Sequence, residues 1–593
     1  MRSARIRGVA VAVAVTTAAT GLAGTAFAGP DTGVRGSTAA TTAAQVVGAA
    51  RAAAFAHAKA TGVGTGDELR AQDVMIDPEG ARHVRFVRTH RGMPVLGGDL
   101  VVHLSRQLAY TGVTRAADHT VEPATTEAKL TARQAEQKAA AAADGEAGTA
   151  ALVVDARDGA RALAYQVAVD GANGPATVVV DALTGRVRSI TPDNDEFLSP
   201  RVLEALHRRG ESLAPATGTR PNTFTGTSAA AAPHYPTTAH GTGRSLFVGR
   251  VALTTTRTAR KNFLLKDPTR YGTETRDAKG KETESFGQGT TFTSTNDSWG
   301  NGTTTSRGSA AADAQYGITE TLDFYRRTFG RKGIANDSKP ARAMVHWGDK
   351  VGNAFWDSTC GCMLYGDGDG DEIKKPLVVL DVTGHELTHG VVDATAKLAP
   401  TRIDVHGNQY GEAGALNESL ADIFGSGVEF FADNPKNPPN YLLGEKLGLA
   451  QKFLRRLDHP SLDRLEGTVD YWSPQVAGAE VHVGSGVSSH AFYLLAEGSG
   501  RKTIGATTYD SPTYDGSTVT GIGRAKATAV FYRALTRYMV SSTDFHGARV
   551  ATLEAAKDLY GASSVEYRTV DQAWAAVDVT PANTPTRNAG QRP

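Results

Sequence analysis

The feature that most constrains this chain is the run His385-Glu386-Leu387-Thr388-His389. Gly384 stands just ahead of it, and Leu387, Val391 and Val392 continue at helical spacing. On a helix, residues four apart share a face, so both imidazoles can offer a nitrogen to one zinc ion. Glu386 lies one position round, where its carboxylate reaches a water beside the metal rather than the metal itself. Two histidines at this spacing also arise by chance in long chains, so a third ligand has to be found.

The segment Ala415 to Phe424 supplies one. It reads as an amphipathic helix with Leu416, Leu420, Ile423 and Phe424 on its apolar side. Glu418 and Asp422, four apart, flank that stripe, and no basic residue lies within a turn of either. Carboxylates turned towards a core are costly unless they meet a cation or strong donors. Glu418 therefore reads as the third ligand, and Asp422 as acceptor for the second N–H of a ligand histidine. Other metal motifs fail. Thr395 stands where a metzincin needs its third histidine. Asp367, Asp369 and Asp371 suggest a calcium loop, but Glu372 sits where an EF-hand needs glycine and Val378 occupies its twelfth position.

With 593 residues the chain is too long for one core and should hold several domains. Its 63 basic and 62 acidic residues nearly cancel, so no global field points to nucleic acid or a membrane surface. Arg2, Arg5 and Arg7 precede an apolar stretch from Val9 to Ala19, and Ala26-Phe27-Ala28 offers small residues for a cut. Residues 1–28 read as a signal peptide, too short in its apolar part for an anchor, and place the protein outside the cell. The two cysteines, Cys360 and Cys362, are too few for a disulfide framework or a Cys-only zinc site, and their redox state stays open.

Helical composition is expected over residues 39–60 and 129–150, and strands over 83–88, 97–104, 162–169 and 176–180, with a turn at 181–185. Residues 377–380 read as a strand or as the lead-in to a buried helix. Residues 29–200 cluster no His, Cys or carboxylates at ligand spacing and read as one or two α+β units without chemistry. Pro, Thr, Ala and Gly dominate residues 203–236, which read as a linker. A second folded region should run from about residue 241 to 579, and residues 581–593 read as a tail.

The zinc motif together with Asn417-Glu418 and Asp422 resembles the thermolysin family of secreted neutral metallopeptidases. Asn353-Ala354-Phe355-Trp356, Tyr365-Gly366-Asp367-Gly368-Asp369-Gly370, Val481-His482-Val483-Gly484-Ser485-Gly486 and Gly521-Ile522-Gly523-Arg524 carry the resemblance across residues 241–579. Upstream, the region of Gly97-Gly98-Asp99 resembles a fungalysin/thermolysin-type propeptide, and residues 125–190 a PepSY-type inhibitory domain. The resemblance implies an α+β fold of two lobes, a β-rich N-lobe at 239–395 and a helical C-lobe at 396–580, with zinc in the cleft between them. Ahead of them it implies a propeptide at 29–120, a PepSY-type domain at 121–200 and a linker with the maturation region at 201–238.

It also implies roles. Zinc is held by His385, His389 and Glu418; Glu386 is the proton carrier; His482 and Tyr410 face the oxyanion. Tyr410 is displaced by about one position in the simplest alignment. Asn353 and Ala354 match the peptide-gripping edge, and Arg455, with Arg456 as its competitor, the arginine that contacts the carbonyl past the scissile bond. Val382, Leu443 and Leu454 match the pocket for a large apolar residue. One or more structural calcium ions would sit on Asp381, Glu429, Asn440 and Glu445, with Leu442 and Asn440 replacing family carboxylates. Ala477 stands where the aspartate partner of His482 is expected, with Glu480 nearby. The expected partners are polypeptide substrates and the chain's own propeptide, as intramolecular inhibitor and chaperone, with no nucleic acid and no membrane after signal removal; the protein is expected to be a monomer. A zinc-retaining binding protein without turnover is the competing class.

Overall fold

The computed structural model describes residues 42–171, 174–210, 236–283, 285–404 and 406–582. The expected signal peptide, residues 211–235 and the tail beyond residue 582 lie outside them. The chain divides into two units, Met1–Thr42 and Ala43–Pro593, and the second carries all the described helices and strands. Among the described residues no helix is long and apolar enough to cross a membrane.

The upstream half is built on one ten-stranded sheet. Asp67–Ile76, Arg82–His90, Leu100–Leu104 and Tyr110–Arg115 pair as antiparallel neighbours, and Ala43–Ala56 packs its Val46, Ala50 and Ala54 against them. Ala151–Asp155, Ala162–Gly171, Gly174–Asp181 and Val187–Pro192 form the other end, under the helix Ala132–Ala143. A parallel pairing of Met93–Leu96 with Ala151–Asp155 joins the two ends. The turn at 181–185 is present: the Asp181 carboxylate accepts from the Leu183 and Thr184 amides.

Downstream, a five-stranded sheet that includes Thr237–Arg244 and Arg250–Ala259 and a seven-stranded sheet form a β-rich layer against the helix Arg307–Phe329. Five further helices, Glu412–Ala432, Val481–Ala496, Arg524–Arg533, Phe545–Tyr560 and Val565–Ala575, make the C-terminal part mainly helical. Cys360 and Cys362 are joined as a disulfide beside the strand Cys362–Tyr365.

Of the two readings left open for residues 377–380, the lead-in to a buried helix holds: Val379 is the N-cap residue of the helix Leu380–Asp393. One expectation needs correction. The linker does not begin near 201, because Pro200–Gly210 is helical. Pro200 opens that helix, where its fixed φ is tolerated and its missing N–H costs nothing. Val202 and Leu206, one turn apart, are buried.

Candidate active site

The helices Leu380–Asp393 and Glu412–Ala432 touch where both carry glycine. A Cβ on Gly384 would lie 3.0 Å from the Gly425 Cα, and one on Gly425 would lie 2.8 Å from the Asp381 carbonyl oxygen. Only glycine allows backbones this close. The approach brings Glu418 against the two histidines.

The Nε2 atoms of His385 and His389 are 3.0 Å apart. Glu418 Oε2 lies 3.4 Å from the first, and its Oε1 3.7 Å from the second. Each histidine is held from behind: His385 Nδ1 donates to Asp422 at 2.8 Å, and His389 Nδ1 to the Asn417 side-chain oxygen at 3.0 Å. Donation from Nδ1 leaves Nε2 as the metal-facing nitrogen in both rings. Two such nitrogens and a carboxylate facing one another at ligand-to-ligand separations fit a tetrahedral cation with one open position. Burial alone would push His385 down, but Asp422 and Glu418 hold it up, to about 9, so it carries a proton that a cation here would displace. His389 is pushed by burial down to about 4. Glu418 is held far below the ordinary carboxylate range; burial opposes this, and His482, His389 and His385 outweigh it.

Glu386 is fully buried, and neither carboxylate oxygen has a donor at hydrogen-bonding geometry. Burial raises it to about 8, against the opposing attraction of His385. An acid poised near neutrality can take and return a proton.

The rest of the cleft is occupied by the chain itself. Asn194–Glu196 pairs antiparallel with Ala354–Asp357, as an edge strand of the seven-stranded sheet. Beyond it, the Phe197 amide donates to the Ala354 carbonyl at 3.1 Å, and the Leu198 amide to the Asn353 side chain at 3.0 Å. Asn353 Nδ2 returns a bond to the Leu198 carbonyl at 3.1 Å. His482 Nε2 meets the Glu196 carbonyl at 2.8 Å, and Arg455 Nη1 donates to the Phe197 carbonyl at 2.8 Å. Arg455 is anchored by a two-pronged bond to Asp422, both contacts at 2.9 Å. Arg456 pairs with Asp458 instead. The Phe197 ring is buried in one cluster with Val382, Leu443 and Leu454. Its edge meets His385, ring centroids 5.1 Å apart.

Sequence reasoning left the roles of three parts of this site unassigned. Asn417 was seen only within a motif, yet it orients His389. Glu480 replaces the absent acid at Ala477: its Oε1 accepts from His482 Nδ1 at 2.8 Å, while Oε2 accepts from the His482 amide at 2.9 Å and caps the helix. The Asp195 to Ser199 segment lies in a half that looked free of chemistry. Tyr410 is half-buried, with its hydroxyl given to Asp404 at 2.7 Å and its ring under the Arg402 guanidinium.

Asp381, Glu429 and Glu445 converge a little further along the same helix pair. Burial raises all three, and repulsion from the neighbouring acids adds to it for Glu429 and for Glu445, which is pushed up to about 8. Both Glu445 oxygens lack a donor at hydrogen-bonding geometry, and Asn440 reaches Glu429 at 3.4 Å.

Comparison with known proteins agrees with this geometry. Residues 240–393 match the thermolysin metallopeptidase catalytic domain, and 408–579 its alpha-helical domain. The chain belongs to the thermolysin metallopeptidase family. Residues 67–117 match the fungalysin/thermolysin propeptide motif, so this family member carries a propeptide region. Among similar proteins are the transglutaminase-activating metalloprotease of Streptomyces mobaraensis, 38% identical over 91% of this chain and 64% of that one, and bacillolysin of Bacillus cereus, 36% identical over 57% and 55%. Thermolysin of Alicyclobacillus acidocaldarius is 38% identical over 46% of this chain and 45% of its own. The chain thus spans about half to two-thirds of the length of these thermolysin-family relatives. A solved precursor of protealysin from Serratia proteamaculans, 27% identical, aligns over 52% of this chain and 87% of its own, with a TM-score of 0.38.

Proposed function

We propose that the protein is a secreted zinc endopeptidase made as a zymogen, which cuts peptide bonds on the N-terminal side of large apolar residues. The convergence of His385, His389 and Glu418 beside the unpartnered, buried Glu386 carries this reading. Zinc bound there supplies a Lewis acid that lowers the pKa of water and polarises a carbonyl. Glu386 takes a proton from the attacking water and later gives it to the leaving amine. His482 donates from Nε2 to the carbonyl oxygen as charge develops on it, and Glu480 keeps the ring aimed. Burial lowers His482, but the carboxylates of Glu418, Glu480 and Glu466 hold it well above the ordinary range, so both ring nitrogens can donate. Tyr410 is the second candidate donor, once its hydroxyl leaves Asp404. Asn353 and Ala354 grip substrate main chain, Arg455 its next carbonyl, and Val382, Leu443 and Leu454 favour Phe, Leu, Ile or Val.

The expected domain limits belong to the same reading, as does a calcium site on Asp381, Glu429, Asn440 and Glu445. Two buried acids and the half-buried Glu445, brought together without a basic partner in the cluster, are eased by a hard cation with oxygen ligands. Calcium should raise the unfolding temperature, and Glu445→Gln should abolish that rise. The decisive test is casein cleavage by wild type, with and without chelator, beside Glu386→Gln. A loss of about 10²–10⁴-fold is expected in the variant; equal rates would overturn the reading.

A further inference from the structure

We infer that the bond between Glu196 and Phe197 is the chain's own first substrate, cut within one molecule. The inference rests on the proposed peptidase activity. It is carried by register. His482 holds the Glu196 carbonyl oxygen, and Ala354 accepts from the very next amide, that of Phe197. One peptide bond lies between these two anchors. On its C-terminal side, Arg455 takes the Phe197 carbonyl and Asn353 brackets Leu198 through both its amide and its carbonyl.

The side chains agree with the main chain. Phe197 and Leu198 are wholly buried. A Cβ on Gly444 would lie 3.4 Å from the Phe197 ring and 3.2 Å from Leu454 Cβ, so the absence of a side chain there makes room for the ring. Ser199 docks on the buried Glu466, giving its amide at 3.1 Å and its hydroxyl at 2.6 Å to the two carboxylate oxygens. A slip by one residue would bring Leu198 or Glu196 to the pocket and turn Phe197 away, because alternate residues of an extended segment face opposite sides. The register is therefore specified from both ends.

The chemistry is hydrolysis and consumes one water. The water oxygen bonds to the Glu196 carbonyl carbon, the bond from that carbon to the Phe197 nitrogen breaks, and the nitrogen departs with the transferred proton. The products are a carboxylate at Glu196 and an ammonium at Phe197. The upstream strand Asn194–Glu196 keeps its pairing with Ala354–Asp357, so the cut alone does not expel it.

The test uses the full chain, followed from the earliest time by intact mass and N-terminal sequencing, with casein assayed on the same samples. The first fragment should begin Phe197-Leu198-Ser199. Its rate constant should not change on roughly tenfold dilution, because the reaction is unimolecular. Phe197→Leu should be cut at the same bond, and Phe197→Asp should lose that cut. In Glu386→Gln, left whole, the Phe197 and Leu198 amides should be protected from hydrogen exchange, and adding Phe197→Asp should remove that protection; this readout needs no turnover. A first fragment beginning elsewhere, with the 196–197 bond intact, would overturn the inference, as would unprotected amides or the same cut in Glu386→Gln. Casein cleavage with that bond intact would leave the peptidase reading standing. Absence of both would overturn the two together.

Discussion

Two of the places where the upstream half holds the peptidase region work by different means. In the cleft the grip is mostly main chain: amides and carbonyls of residues 196–198 meet Ala354, Asn353, Arg455 and His482. Against the helical part, charged side chains do the holding. Asp77 is paired with Arg533 and Arg537, Arg85 donates to the Met539 carbonyl at 2.8 Å, and Asp99 accepts from the Ser541 amide at 3.1 Å. The main-chain grip in the cleft is keyed by Phe197 and can be loosened by cutting one bond. A side-chain grip survives that cut and yields only when its charges change. Occupation of the cleft and retention of the upstream half thus rest on separate contacts.

The largest expected effect tests the charged grip. Asp77→Ala removes the buried carboxylate shared by His83, Arg533 and Arg537, leaving Arg533 only Asp558, and losing one member of a buried ion pair costs about 3–5 kcal/mol. The cut upstream piece should then separate from the peptidase in gel filtration under conditions where it otherwise co-elutes. Phe197→Ala tests the cleft grip. Emptying its pocket should cost about 3 kcal/mol, read as faster amide exchange at residues 197–198 in a Glu386→Gln background, with no change around Asp77. If either variant loosens both contacts equally, the two act as one.

A smaller effect separates gripping from chemistry. Glu480→Ala should lower kcat/KM on a peptide substrate by roughly 10–100-fold, and Glu480→Gln less, since an amide can still accept from His482. The last is a pH effect at the charged grip, absent at neutral pH and growing only on acidification. His103 is buried at 2.7 Å from His83 and beside Tyr538, and burial pushes it down to about 3. Its folded pKa lies below the unfolded value, so its contribution is complete above about pH 6.5 and declines towards pH 3, by about 1.4 kcal/mol per pH unit. Thermal unfolding from pH 7 to 4 should show this slope reduced in His103→Gln.

The metal centre was legible because its parts are local: two histidines on one helix turn, and Glu418 with Asp422 on another. The helical C-terminal part followed only from the family resemblance, whereas four upstream strands, at 83–88, 97–104, 162–169 and 176–180, were legible from alternation. The edge strand was not. Asn194–Glu196 acquires meaning only by pairing with Ala354–Asp357, far along the chain, and no local pattern announces that. The short helix after it was readable in principle, from Pro200 and the spacing of Val202 and Leu206, but the Pro- and Ala-rich composition masked it. Glu480 was visible as a neighbour of His482. That it does Ala477's missing work depends on where the helix Val481–Ala496 begins.

Glu480 also ties turnover to temperature. One carboxylate both starts the helix and steadies the imidazole, so fraying of the first turn on warming would misalign His482 before any core melts. Peptidase rate should therefore fall away from its Arrhenius line several degrees below the calorimetric transition, and the gap between the two temperatures measures how firmly Glu480 holds.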